Sequence, residues 1–434
     1  STTIYSGMFP GVVAGKYKFD EILIDLRNLA LKAGVSFVMA EIKGIDLKRK
    51  KLLLSERPEV EYSSLSLNVG SETDFNSKSL IRRDKSLAVP IKPFSKSLQF
   101  IIDQDIYCDD SSANPFVIVG AGFAGIEIAC SLRKRWPKRC IQLKLKEGRN
   151  LKKNILKTLR DLDIEIIKEN PSVLYPVLIC TGNKSFGWIK DSGVPIDSNG
   201  RILTKNTLQV LNYPELFAVG DCGVINDDFR PSSGVFAVRS AIPLAKNLER
   251  ISKGMKPYKW KPQKRAVQLL DINSNKKDSK AFIALGRLII GPFSLLSKLK
   301  ELIDKKFMSK FFTNYITLKM IPEKVMLKCR GCAAKLAYKP LNSTLNKLDS
   351  IESINDDSID IGVFISGKNL IQSVDGFPSL ISDPWLNGRL LAFHSCSDIW
   401  ACGGSVISAL SVVNLPALSN NLQQELLFQV LEGI

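Results

Sequence analysis

A chain carrying PFVIVGAGFAGIEIACSL at 115–132 has little freedom in what surrounds that stretch. Residues 116–119 form an unbroken apolar run suited to a strand buried on both faces. The turn that follows, Gly120-Ala121-Gly122-Phe123-Ala124-Gly125, opens a helix over 125–135. Gly120 makes the tight turn, Gly122 lets the backbone approach a pyrophosphate, and Gly125 lets helix and strand pack closely. The helix N-terminus offers free N–H groups and a positive dipole to phosphates. A second strand, IQLKL (141–145), leads to Glu147, 22 residues beyond Gly125, where a carboxylate accepts from the ribose 2′-hydroxyl of NADH. Lys146 beside it would equally meet the 2′-phosphate of NADPH, so both nicotinamides stay open. A glycine turn without a ligand is the competing reading, and the two strands and helix in the correct order weigh against it.

The rest of the chain has to be organised around that unit. DEILIDLRNLALKAG (20–34) reads as a helix stopping at Gly34, and VSFVMAEIKGIDLKRKKLLL (35–54) as strands joined by turns. YSGMFPGVVAGKY (5–17) has loop chemistry, and 72–86 is polar loop. Short strands return over 175–251 and end in the helix AVRSAIPLAKNLERI; 252–280 is a loose connector. Residues 281–312 are apolar first, then amphipathic and basic. Nine cysteines, odd in number, irregular in spacing and several within apolar runs, argue against a secreted disulfide framework. The net charge of +18 favours anionic partners, but lysines scattered among Asn, Ile and Ser read as compositional bias. No recognition module for nucleic acid accompanies them. Neither a signal peptide nor a membrane-spanning run is visible, so the expected location is cytoplasmic, at most peripheral to a membrane.

VLICTG (177–182) and LQVLNYPELFAVGDCG (208–223) stand at the distances seen in FAD-dependent pyridine nucleotide oxidoreductases, and this part resembles that superfamily. The resemblance implies that Asp221, after Gly220, meets the ribityl chain of FAD, and that SSGVFAVRSAIPLAKNL (232–248) is the helix pointing at the flavin. It is similar most of all to the type II NADH dehydrogenase branch, with YSGMFPGVVAGKY as a flavin-facing loop. The redox cysteine pair of the disulfide reductases is missing from the first 250 residues. Hydride would then pass from nicotinamide to flavin and on to a quinone or other small acceptor. The superfamily's first glycine turn, for the ADP half of FAD, is expected before Ser1.

Met326–Ile434 carries different motifs: MLKCRGCAAKLAYKPL, INDDSIDIGVF, and IQSVDGFPSLISDPWLNGRLLAFHSCSDIWACGG. Carboxylates spaced by flexible turns suit Mg²⁺ bridging a polyphosphate, and a lysine offers the phosphates a point charge. Order and spacing resemble selenophosphate synthetase (selenide, water dikinase). The resemblance implies that Cys332 handles selenium, that Lys335 contacts ATP phosphate, and that Asp357, Asp375 and Asp398 hold the metal. His394 stands where that family has Asn, and Ala333 and Gly376 also depart from its pattern. Ile434 falls about a third of the way through such a domain. Half a zinc site at Cys329 and Cys332 is the competing reading, as is a plain structural role for His394 and solvated turns at Asp356 and Asp360.

The expected fold class is therefore α/β, with two Rossmann-like FAD/NAD(P)-binding domains. A partial α+β domain like the N-terminal domain of aminoimidazole ribonucleotide synthetase follows. The expected boundaries are 1–110 (FAD-binding, first part), 111–182 (NAD(P)-binding), 183–320 (FAD-binding, second part, with connector) and 325–434 (dikinase). The expected function is bifunctional: an NAD(P)H-dependent flavoprotein fused to a dikinase that makes selenophosphate from selenide and ATP, working as a homodimer. The basic stretch KLKELIDKKFMSKFF (298–312) reads either as core packing or as an interfacial helix on anionic lipid. A membrane-associated NADH:quinone oxidoreductase with a vestigial kinase half, or a non-catalytic nucleotide sensor, are the other readings.

Overall fold

The computed structural model describes residues 2–73, 87–146, 148, 150–272, 279–286, 288–311, 359–365 and 367–434. Its centre is a five-stranded, wholly parallel sheet in the order Ile164–Ile167, Ile141–Lys144, Phe116–Val119, Val177–Ile179, Ala88–Pro90. All four residues of Phe116–Val119 are buried, as a central parallel strand demands. The helix Phe123–Arg135 crosses from this strand to Ile141–Lys144, which is the expected strand–turn–helix–strand order.

A second, mixed sheet runs Gly223–Ile225, Ile202–Thr204, Gln209–Val210, Tyr213–Ala218, Leu65–Leu67. Leu65–Leu67 pairs parallel with Tyr213–Ala218, so chain separated by about 150 residues closes one sheet. The helix Gly234–Ser252 leaves this sheet as the sequence predicts. Next comes an antiparallel meander of Val267–Asp271, Ala281–Leu285 and Leu288–Phe293, then the helix Ser294–Met308. The helices Pro384–Ala401 and Asn420–Gly433 pack against each other near the C-terminus. Among the described residues, no helix is long and apolar enough to cross a membrane.

Two local expectations need correction. Residues 5–17 are not a simple loop: Ser6–Met8 forms a 3-10 turn and Phe9–Val13 a helix whose five residues are all buried. The apolar FPGVV segment gains more from burial than from exposure, and the Phe9 ring lies 4.7 Å from that of Phe94. Nor is 20–34 one helix. Phe19–Ile22 is a 3-10 turn and Leu23–Asp25 a strand antiparallel to Thr2–Ile4, and the helix starts only at Leu26. Asp25 sets that start, its carboxylate accepting from the Asn28 N–H at 3.0 Å. Gly34 ends the helix as predicted, at φ 64°. Of the predicted 72–86 loop, Glu72–Thr73 pairs as a short strand with Asn183–Lys184; 74–86 lie outside the described residues.

One large apolar cluster ties the first residues of the chain to its middle. Phe9, Val13 and Ile22 share it with Phe116, Leu132, Leu270, Phe282 and Met308. The mixed sheet has a separate core around Leu67, Leu216 and Ile202.

Candidate functional site

The glycine turn is built for close approach on one side and left open on the other. Gly120 sits at φ 112°, and a Cβ there would lie 2.7 Å from the Cys180 carbonyl oxygen. A Cβ on Gly125 would stand 1.9 Å from the Gly120 carbonyl oxygen, so helix and turn touch backbone to backbone. At Gly122 nothing lies within 4 Å of the equivalent position. Gly122 is also the N-cap of Phe123–Arg135 and has no side chain to bond the first helical N–H groups. The turn therefore presents unfilled space over free donors at a positive helix end, which fits a dinucleotide pyrophosphate. Lys146 is exposed; Glu147 lies outside the described residues.

Gly220 and Asp221 sit where the buried strand Tyr213–Ala218 runs out. Gly220 has φ 71°, and a Cβ on it would meet the Asn68 side-chain oxygen at 2.5 Å. Asp221 Oδ2 accepts from Ser71 Oγ at 3.2 Å and from Lys92 Nζ at 3.3 Å. Lys92 also donates to Ser71 Oγ at 3.2 Å, closing a triangle. This triangle suits a polyhydroxyl chain, since the carboxylate has further lone pairs and the ammonium balances its charge. Ser71 and Lys92 were not singled out from the sequence. Both belong to segments distant from Asp221 in the chain, and only the parallel pairing of Leu65–Leu67 with Tyr213–Ala218 brings one of them close.

Beyond Gly220 a recess of about 60 Å³ opens against the start of Gly234–Ser252, lined in part by Arg201, Ser233, Phe236 and Trp260. That recess has room for a few waters.

A half-buried ionisable group lies between the helices Phe123–Arg135 and Ser294–Met308, under the 5–17 segment. Glu127 Oε1 accepts from the Asp271 N–H at 2.8 Å. Its carboxyl keeps a partial opening, but protein packs densely around it, and that desolvation pushes its pKa up to about 7. Lys300, facing it, donates to Asp304 Oδ2 at 2.8 Å and to the Gly7 carbonyl at 2.7 Å. Burial works against the Lys300 ammonium, yet Glu127 and Asp304 outweigh it and hold its pKa above the ordinary lysine value. Burial likewise raises the Asp304 carboxyl against the pull of Lys300. Tyr5 Oη donates to Asp304 Oδ1 at 3.0 Å, and Lys16 Nζ stands 3.5 Å from Asp271. A carboxyl poised near neutrality beside a fixed ammonium can take up or release a proton at physiological pH. The sequence reading missed Glu127, whose only local sign is an acid inside the apolar run GIEIAC.

Of the second motif set, Cys332, Lys335 and Asp357 lie outside the described residues, as do Cys329 and Asp356. Asp375 and Asp398 are described, and His394 lies between them in sequence. His394 Nε2 is 3.2 Å from Asp375 Oδ2, and its ring packs on Phe377 at 5.3 Å between centroids. Asp398 follows one turn after His394 on the helix Pro384–Ala401, on the same side of that helix. The carboxylate and aromatic contacts of His394 fit its structural reading. Among the described residues, no group of three potential ligands could hold a metal ion. A Mg²⁺ on Asp375 and Asp398 therefore needs a further donor such as Asp357.

No family model matches the chain. The ferroptosis suppressor protein 1 of Xenopus tropicalis is 24% identical over 324 residues, covering 59% of this chain and 82% of that protein. The selenide, water dikinase of Pelobacter propionicus is 35% identical over 114 residues, covering 25% of this chain. Separate segments of the chain thus match two unlike kinds of protein, as the sequence predicts: an oxidoreductase-like part and a part homologous to selenide, water dikinase. The chain spans about a third of the dikinases it matches, 32% of the Pelobacter protein. For the flavoprotein half, the fold is that of the sulfide:quinone oxidoreductase of Aquifex aeolicus (TM-score 0.59, 17% identity, 71% of this chain and 83% of that one). The NADH:rubredoxin oxidoreductase of Clostridium acetobutylicum shares it (TM-score 0.51, 18% identity, 69% and 85%).

Proposed function

We propose that the fusion pairs NAD(P)H oxidation, whose electrons would reduce oxidised selenium to selenide or keep it so, with ATP-dependent formation of selenophosphate from that selenide. The observation that carries the first half is the glycine turn, closed by backbone at Gly120 and Gly125 and open at Gly122. The amides after Gly122 would hold the pyrophosphate of NAD(P)H, with Glu147 on its ribose. Asp221, balanced by Lys92, would hold the ribityl chain of FAD. The bound flavin would supply hydride acceptance and onward electron transfer. Elsewhere in this half, Glu127, facing Lys300 between two helices, would hold a proton near neutrality. A quinone is the acceptor suggested by the names of the sulfide:quinone oxidoreductase and of the type II resemblance. The exposed apolar side chains of Ser294–Met308 support contact with a membrane surface from the cytoplasmic side.

For the second half, the match to selenide, water dikinase carries the reading. Cys332 would take selenium and Lys335 the ATP phosphate, with Asp357, Asp375 and Asp398 as the Mg²⁺ ligands. The test is selenophosphate formation by the intact protein, followed by phosphorus NMR with selenide and ATP, with and without NADH. Dependence on ATP, loss in Cys332→Ser and stimulation by NADH are the expected results. Product that forms at the same rate without NADH would separate the two activities, and none with ATP would remove the dikinase.

A further inference from the structure

The two halves touch through a small, buried, polar contact that neither homology describes. Arg57 lies in the turn between the strands Lys51–Leu54 and Val60–Glu61 of the flavoprotein half. Its Nη2 donates to Asp383 Oδ1 at 2.5 Å, across 326 residues of chain. Its guanidinium also lies 4.6 Å from the centroid of the Trp385 ring. Only 9% of the Arg57 side chain and 7% of the Asp383 side chain remain exposed. Nearby, the Phe37 N–H donates to Ser382 Oγ at 3.2 Å, and Gln429 Nε2 donates to the Glu59 carbonyl at 3.2 Å.

The position of Asp383 gives the contact its consequence. It is the N-cap of Pro384–Ala401, its Oδ1 accepting from the Leu386 N–H at 3.1 Å. One carboxylate therefore starts the helix that carries His394 and Asp398 and also receives the arginine. The helix Asn420–Gly433 moves with it, because a Cβ on Gly388 would lie 2.2 Å from the Val430 carbonyl oxygen. A Cβ on Gly433 would likewise lie 2.1 Å from that of Trp385. Among the described residues of 370–434 no apolar side chain is buried, whereas Asp383 and Gln429 are. With no buried apolar side chain among those described residues, the polar contact is the buried link between the helix pair and the rest of the described chain. A buried ion pair needs its partner, since losing one side leaves an uncompensated charge.

We infer that the turn at Arg57–Glu59 is the docking surface for the dikinase segment. The Arg57–Asp383 pair, stacked on Trp385, is the clasp that orients the helix bearing Asp398. The geometry stands apart from what either half catalyses.

Backbone amide hydrogen exchange on the whole protein tests this. Arg57→Ala is expected to speed exchange about tenfold or more at Phe37, at Leu386 and over 429–433, with the strand amides of 116–119 unchanged. Asp383→Ser, which keeps a capping oxygen, should do the same. The double variant should add little to either single, as one shared contact requires. Acceleration confined to 55–61, or effects of the two substitutions that simply add, would overturn the inference. If Arg57→Ala also loosens the hairpin amides of 42–54, Gln429→Ala reads the same surface from the far side. In that case unchanged exchange at Phe37 and Leu386 counts against it.

Discussion

At the scale of single residues, the glycines and the acids differ in how much the sequence reveals. Gly120, Gly125 and Gly220 are legible because each solves a local backbone problem, a positive φ or a contact too tight for a Cβ, and Gly122 because it leaves the helix end open. Lys92 and Ser71 beside Asp221, and Lys300 beside Glu127, are not, because their meaning arises only from neighbours more than 100 residues away or from another sheet. Glu127 gives the sharper consequence. Its folded pKa, about 7, lies above the ordinary carboxyl value, so the folded state keeps a proton that the unfolded chain releases. Its favourable contribution is fully present below about pH 4.5, fades as pH rises through 7, and stays lost above. Glu127→Gln cannot titrate. Lys300, Asp271 and Asp304 face it in both proteins, so they contribute similarly to each. The stability of the native protein relative to Glu127→Gln should therefore fall between pH 4.5 and 7, by on the order of 2–3 kcal/mol, and level off above. Urea unfolding at a series of pH values measures it; a difference that rises or stays flat across that window would refute the assignment.

At the scale of elements, patterning told strands from helices well and told their surroundings less well. Residues 281–312, read as apolar first and then amphipathic and basic, resolve into two strands followed by the helix Ser294–Met308. The apolar stripe on that helix, however, splits between two roles. Phe307, Phe311 and Met308 pack into the large cluster, and the Tyr5 and Phe307 rings stack at 4.5 Å. Leu295 (76% exposed) and Leu302 (66%) point outward, with Phe293 of the preceding strand also open. Period alone could not divide them, because two apolar faces lie side by side and only tertiary packing covers one. The segment 5–17 was misjudged for the converse reason: its Gly and Pro signal a loop, but burial of FPGVV overrode them. The open face carries a prediction. Leu302→Glu, far from Met308 and the packed side, should leave folding intact and weaken binding to anionic lipid vesicles about tenfold. Co-sedimentation at low and high salt reads it, since attraction by the nearby lysines should also fade with salt. Equal partitioning of both proteins would remove the membrane from the function.

At the scale of the whole molecule, the order of the two motif sets announced a fusion, while the joint between them stayed invisible. Arg57 and Asp383 are ordinary charged residues until the fold buries them together. Stability is distributed unevenly across that joint. The flavoprotein half closes on itself: Tyr5 reaches Asp304, 299 residues away, and Met308 is 1% exposed in the same cluster as Phe9. The helix Ser294–Met308 is thus the last piece that this core requires. A chain ended after residue 311 keeps every described contact of that cluster and returns Arg57, the Phe37 N–H and the Glu59 carbonyl to water, where such groups are comfortable. Its calorimetric transition should stay within about 4 °C of the full-length protein's main transition. A chain ended after residue 293 exposes the cavity vacated by Phe307 and Met308 and strips Tyr5 of Asp304 and Glu127 of the facing Lys300. Burial lost at a single such position costs about 2–5 kcal/mol, so several together exceed a typical margin of stability. That shorter chain should show no cooperative transition. If both truncations melt alike, the core does not depend on the helix, and the division drawn between the two halves is wrong.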